Sequence, residues 1–241
     1  MPYDPKRHAD RRAAVAAEMR RHGGGVMLLP AAEEKLRNAD NEYLFRQDSD
    51  YFWLTGFEEP QGCALLFADP PAGKPGFVMF VRPRDPEREI WTGRRAGVEG
   101  VKAAFGADEA HPLAEMESRL LGYLDHPGPL WFRLGRDREW DERVSRLLSQ
   151  LRAKERTGVR TPSAVVDPGT VVHEMRLAEA PPRVDRLRRG RQGTPRTHPG
   201  APRRGSPRGT ARPGALEVEY GLPPRGGGGP CAGANRGRRP P

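Results

Sequence analysis

The sequence predicts an α/β fold, a mixed sheet flanked by helices, followed by a C-terminal tail without regular structure. Short continuous apolar runs, typical of strands buried on both faces, alternate over the first 180 residues with segments of helical periodicity. Two of these runs lie close enough to form a hairpin, which makes the sheet mixed. Beyond that point no periodicity survives, and the last 61 residues contain 13 Gly and 12 Pro.

The elements of the N-terminal half follow from local patterns. Residues 9–22 are rich in Ala, Arg, Glu and Met and end at three glycines, which is typical of a helix with a glycine stop. The apolar run 26–29 is ended by a proline and predicts a buried strand. Residues 62–67 and 77–81 predict two more strands, and the Pro/Gly-rich turn over 69–76 favours pairing them as a hairpin.

The C-terminal half returns to helical spacing. Residues 98–105 have apolar side chains at helical intervals, and five apolar residues between 113 and 124 repeat this pattern more strongly. Residues 130–134 predict a further strand. Asp137 is a suitable N-cap for a helix that ends near Gly158.

The positive charge of the chain belongs to its tail. Residues 181–241 contain 14 Arg, no Lys and 3 acidic residues, a net charge of +11, so residues 1–180 carry −2 of the total of +9. Cys63 and Cys231 are the only cysteines, which excludes a disulfide framework and favours a reducing compartment. Because there is neither an N-terminal apolar segment nor a run of 18 apolar residues, we expect a cytoplasmic protein without membrane contact.

The stretch Arg37–Pro60 is the most specific part of the sequence. It contains six large aromatic residues, which we expect to be at least partly buried because each would expose roughly 150–250 Å² to water. These are Tyr43, Phe45, Tyr51, Phe52, Trp53 and Phe57. Arg46, Asp48 and Asp50 lie among them, so we expect an arginine–carboxylate network under an aromatic layer. Asp-Ser-Asp is more typical of a turn or helix cap than of an acid/base pair.

Four motifs in order resemble the N-terminal domain of aminopeptidase P, the Xaa-Pro aminopeptidases. The first motif joins Arg37-Asn38 to the segments 45–49 and 54–60, and the others cover 82–85, 89–95 and 172–177. The resemblance implies a ribonuclease-H-like α/β domain over residues 1–177. It also implies a homo-oligomeric parent enzyme that uses two manganese ions to remove an N-terminal residue preceding proline from proline-containing peptides.

Trp91 is the main site candidate. Its large ring stands in the polar segment 88–95, where core periodicity does not explain it. The resemblance implies that this tryptophan reaches across the oligomer and lines a neighbour's substrate site, while packing within its own domain is the alternative. Arg94 and Arg95 could pair with acids across the same interface. The other motif residues are expected to be structural, namely Arg37, Asn38, Arg46, Asp48 and Asp50.

No catalytic or metal site is predicted in this chain. His173-Glu174 begins like the zinc motif H-E-x-x-H, but Leu177 stands at the position of the second histidine. The resemblance implies that the family's peptidase domain binds its metals through two Asp, one His and two Glu. Residues 181–241 contain three acids and His198. We therefore expect no bound manganese and no peptidase activity from this chain alone.

The tail, residues 178–241, allows three interpretations. Arg, Gly, Pro and Ala have G/C-rich codons, and the chain contains 36 Arg and 5 Lys, so an out-of-frame reading of a G/C-rich gene is favoured. Nucleic-acid binding through the basic tail is the second interpretation, although Tyr220 is its only aromatic residue for base stacking. The third interpretation treats the folded part of the chain as a stand-alone interaction or assembly module without catalysis.

Overall fold

A computed structural model describes residues 4–39, 41–70 and 73–178 of the chain. The tail of residues 178–241 lies outside these ranges apart from Ala178, so its predicted disorder stays a prediction. The strands of the described ranges are β1 Val26–Pro30, β2 Leu36–Asn38, β3 Asn41–Glu42, β4 Cys63–Phe67, β5 Phe77–Val81, β6 Glu109–Pro112, β7 Leu130–Trp131 and β8 Val165–Val166. The α-helices are α1 Pro5–Arg21, α2 Ser49–Thr55, α3 Pro86–Thr92, α4 Gly97–Phe105, α5 Met116–Tyr123, α6 Arg138–Ala153 and α7 Gly169–Leu177.

Six of the strands form one mixed sheet in the order β6-β5-β4-β1-β7-β8. The strand β4 runs antiparallel to both of its neighbours, whereas the β1–β7, β5–β6 and β7–β8 pairs are parallel. Met27 of β1 pairs with Leu66 on one side and with Trp131 on the other. The predicted mixed sheet and the β4–β5 hairpin are confirmed. Strands β2 and β3 form a separate two-stranded ribbon.

The sheet is covered by helices on both faces, as predicted. Alternate residues of β1 point to opposite faces, so Met27 and Leu29 join one core cluster while Val26 and Leu28 join the other. Helices α1, α2, α4 and α7 contribute to the first cluster, and α5 and α6 to the second. None of the helices in the described ranges is long and apolar enough to cross a membrane.

Several element boundaries differ from those predicted. Helix α1 begins at Pro5 because Asp4 caps it, with the Asp4 carboxylate accepting a hydrogen bond from the amide of Arg7. Helix α6 ends at Ala153, and a short 3₁₀ turn bridges the gap to Gly158. Strand β7 stops after two residues.

Strands β2, β3, β6 and β8 and helices α3 and α7 were not predicted, and β6 and α3 show the reason. Strand β6 is short, polar and ends in proline, as edge strands often do. Helix α3 buries no residue, so its sequence shows no apolar stripe at helical spacing from which it could be predicted.

Candidate functional site

Helix α2 carries the centre of the first motif and is fixed at both ends. Asp48 is its N-cap, and the Asp48 carboxylate accepts hydrogen bonds from the amides of Asp50 and Tyr51, both at 2.9 Å. The prediction that Asp-Ser-Asp forms a cap is confirmed. At the other end, Arg11 and Arg12 of α1 donate to the last carbonyl groups of α2, at 2.9 and 3.0 Å. Cations are favourable there because the C-terminus of a helix carries partial negative charge.

Asp50 connects α2 to the last described helix, α7. Its side chain is 9% exposed and accepts a hydrogen bond from Arg176, while His173 Nε2 lies 3.1 Å from the other carboxylate oxygen. We call these three residues the clasp. His173, which begins the sequence resembling a zinc motif, therefore faces a carboxylate of its own domain. The clasp joins the stretch Arg37–Pro60, which contains the first motif, to the fourth motif.

The predicted arginine–carboxylate network exists, but its arginines are different. Asp48 pairs with Arg136 at 2.5 Å, and Asp50 pairs with Arg176. Arg46, expected to take part, is exposed. The prediction was wrong for this residue because the partners come from α7 and from the loop before α6, which sequence proximity could not indicate.

The predicted burial holds for four of the six aromatic rings. Tyr51, Trp53 and Phe57 are buried, and Phe45 is partly buried. The expectation of burial was wrong for Tyr43, which is 59% exposed. Phe52, which occupies the outer side of α2, is also exposed. The site therefore has an apolar inner layer and leaves two rings on its surface.

Gln47 and Glu59 tie the first motif to the segment that carries Trp91. The Gln47 side-chain oxygen accepts hydrogen bonds from the amides of Ala32 and Asp48, at 2.6 and 2.9 Å. Its side-chain nitrogen donates to the backbone oxygen of Glu59 at 2.7 Å. The Glu59 carboxylate in turn accepts from the amide of Ala96 at 2.6 Å. Both residues were quoted within the first motif, but their connecting role was not foreseen.

Residues 82–97, which we call the arch, connect the end of strand β5 to the start of helix α4. Helix α3 forms the middle of the arch, and none of its residues is buried. Trp91 is 88% exposed and its neighbour Ile90 is 79% exposed. Packing of Trp91 within its own domain, the alternative interpretation, is therefore wrong. The ring is therefore accessible to a molecule that approaches the arch from outside the domain.

Comparison with known proteins gives the chain its family. Residues 8–131 match Aminopeptidase P, N-terminal domain. The chain belongs to this family. It is 34% identical to the Xaa-Pro aminopeptidase of Escherichia coli (strain K12) over 188 residues, which are 78% of this chain and 42% of the relative. The chain thus spans less than half the length of that curated relative.

Two solved aminopeptidase P structures support the same assignment. The Pseudomonas aeruginosa aminopeptidase PepP is 35% identical with a TM-score of 0.66, covering 71% of this chain and 38% of its own. The zinc-substituted E. coli aminopeptidase P in complex with product is 33% identical with a TM-score of 0.71, covering 78% and 42%. The mixed sheet flanked by helices is therefore the fold of an aminopeptidase P N-terminal domain.

The remaining motif residues of this aminopeptidase P domain are dispersed. Arg37 and Asn38 are exposed on the ribbon strand β2. Arg94 is exposed, but Arg95 is 8% exposed. The expectation that both arginines could pair across an interface was wrong for Arg95, because its side chain is enclosed by its own domain. Burial, and then the nearby Arg95, lowers the pKa of Arg82 at the base of the arch.

The described residues do not fit the two-manganese site implied for the parent family. In the parts of the chain that the structure describes, no group of three or more His, Cys, Asp or Glu side chains could hold a metal ion. Cys63 is fully buried in β4, and burial raises the pKa of its thiol, so it is the inert core residue predicted from its apolar run.

Proposed function

We propose that this domain serves a manganese-dependent Xaa-Pro aminopeptidase by supplying oligomer contacts and one wall of a neighbouring subunit's substrate site. The observation that carries the proposal is Trp91, a tryptophan 88% exposed on a helix that buries nothing. An indole left in water keeps much of its roughly 150–250 Å² of apolar surface unburied. Such surface on an ordered, polar segment is typical of a contact site.

The chemistry of the ring agrees with the proposed substrate class. Proline-containing peptides dock on aromatic surfaces because the pyrrolidine ring is apolar and conformationally restricted, so little entropy is lost on binding. Ile90, next to Trp91, extends the apolar surface. The exposed Arg94 adds a positive charge nearby.

Catalysis is assigned to the parent enzyme's peptidase domain rather than to the residues of this chain. The described ranges contain no metal-binding group of three residues, and residues 181–241 contain only three acids and one histidine. Two Asp, one His and two Glu, the set implied for the family, cannot be drawn from these 61 residues. The purified 241-residue chain, assayed with manganese and an Xaa-Pro tripeptide, should release no amino acid; hydrolysis abolished by a chelator would refute this assignment.

A chimera tests the role of Trp91 directly. Residues 1–177 replace the matching part of the E. coli relative, and Xaa-Pro cleavage is measured. Trp91→Ala should lower kcat/KM at least about fivefold, because truncating a central aromatic contact removes more than about 1 kcal/mol. Leu134→Ala, which truncates a 56% exposed side chain in the loop after β7, is the matched control and should change nothing. Unchanged kinetics for Trp91→Ala would rule out the proposed wall.

We also propose that residues 178–241 are an out-of-frame reading. The support is the composition of the tail, which is rich in residues with G/C-rich codons. Translation of the resequenced gene in the other two frames should give an open reading frame with two Asp, one His and two Glu in series. If the present frame is confirmed and neither other frame contains that series, the interpretation fails.

A further inference from the structure

Something other than core packing must hold the arch in place, since α3 buries no residue. Several polar contacts of the arch meet at one side chain, that of Glu89. Arg84 donates to both of its carboxylate oxygens, from Nε at 3.2 Å and from a terminal guanidinium nitrogen at 3.1 Å. The amide of Asp85 also donates to this carboxylate, at 3.3 Å.

We infer that Glu89 is a positioning residue, which holds the arch closed and thereby fixes the direction of Trp91. The inference rests on the proposed function for the role of Trp91, but the positioning of its ring by Glu89 can be tested separately. The Glu89 side chain is 10% exposed although it belongs to a helix on the surface. Its carboxylate therefore points into the arch.

Trp91 points the other way for a geometric reason. Successive residues of an α-helix are rotated by about 100°, so residues two apart lie on opposite sides. The exposures of 10% for the Glu89 side chain and 88% for Trp91 agree with this rotation. Anchoring Glu89 on the inside consequently anchors the indole on the outside.

The partner of Glu89 is itself fixed by the closing end of the arch. Gly97 has φ +64°, and a Cβ atom added there would lie 2.6 Å from Cγ of Arg84. Only glycine allows the Arg84 side chain to lie this close to the returning backbone. The hydrogen bond from Arg84 is also the main reason why the pKa of Glu89 is lowered. The carboxylate therefore stays charged at neutral pH and keeps both hydrogen bonds from Arg84.

The test uses the whole chain labelled with 5-fluorotryptophan, which gives one ¹⁹F NMR signal for each of the four tryptophans. Trp91→Phe identifies the signal of interest. In Glu89→Gln, we expect the Trp91 signal to shift and narrow while the signals of the three buried tryptophans stay unchanged. The amides of Asp85 and Gly93 should exchange with solvent at least about tenfold faster, because the first donates to the Glu89 carboxylate and the second to the Glu89 carbonyl group.

Glu87→Gln is the matched control, because it removes the same charge from an exposed position of the same helix. It should leave all four signals and both exchange rates unchanged. An unaltered Trp91 signal in Glu89→Gln would overturn the inference. A shift of all four signals would overturn it too, since Glu89 would then support the whole domain rather than the arch.

The chimera separates this inference from the proposed function. Glu89→Gln should lower kcat/KM in the same direction as Trp91→Ala, and the double variant should be no worse than Trp91→Ala alone. A further loss in the double variant would show that Glu89 acts by another route, contradicting the inference. If Trp91→Ala itself has no effect, the proposed function fails, while the NMR experiment still decides whether Glu89 positions the ring.

Discussion

Removing the charge of Asp50 should loosen the connection between α2 and α7. Asp50→Asn keeps the size of the side chain and one acceptor oxygen but loses the carboxylate that holds both Arg176 and His173. Hydrogen bonds to charged groups contribute about 1.5–3 kcal/mol each. The partners are 27% and 38% exposed, so water replaces part of what is lost.

We therefore expect the free energy of unfolding to fall by about 2 kcal/mol, which for a domain of this size lowers Tm by roughly 4–8 °C. Urea denaturation should show the loss at an unchanged m-value, because the area exposed on unfolding is the same. Asp10→Asn, the same substitution at an exposed position of α1, should change the stability by less than about 0.5 kcal/mol. If Asp50→Asn is as stable as Asp10→Asn, the clasp does not hold α7 to the domain.

Three further predictions concern the core, the N-terminus of α2 and the dependence of stability on pH. Leu65→Ala in the fully buried β4 should lower the free energy of unfolding, measured by urea denaturation, by about 2–5 kcal/mol. A loss below about 1 kcal/mol would mean that neighbouring side chains move in and fill the cavity. Arg136→Gln should cost less than about 1 kcal/mol despite the 2.5 Å pair with Asp48, because Arg136 is 54% exposed; a larger thermal shift would contradict this. Burial lowers the pKa of His8, so the unfolded chain binds more protons and stability should fall as the pH drops below about 6.5. His8→Asn, which keeps a donor for the Trp53 carbonyl, should flatten the stability loss between pH 7 and pH 5, and an unchanged slope would exclude His8 as its source.

The sequence predicted those parts of the fold whose residues carry their own signal. Strands β1, β4 and β5 are continuous apolar runs because both of their faces are buried, and α6 shows its apolar stripe from Trp140 to Leu151. The Asp48 cap was predictable for the same reason, since a cap contacts only its own first turn. Asp85 followed by Pro86 is an equally good helix start, and it could have revealed α3.

Partners distant in the chain could not be predicted in this way. Asp50 and Arg176 are 126 positions apart, and only the sheet and its helices bring them together. Arg46 is near in sequence and was preferred for that reason, but its side chain points to solvent. The exposure of Trp91 was likewise hidden, because a single ring in a polar segment fits packing and contact equally well until its surroundings are known.

The position of β1 in the sheet has a consequence for folding during synthesis. Its neighbour β4 is complete once residue 67 has been synthesised. Its other neighbour, β7, is complete only when Leu130 and Trp131 have been added. Until then one edge of an apolar strand has unpaired backbone groups, which is a template for aggregation. We expect nascent chains that end before residue 130 to need a chaperone. Strand β7, made late in synthesis, thus protects the open edge of β1.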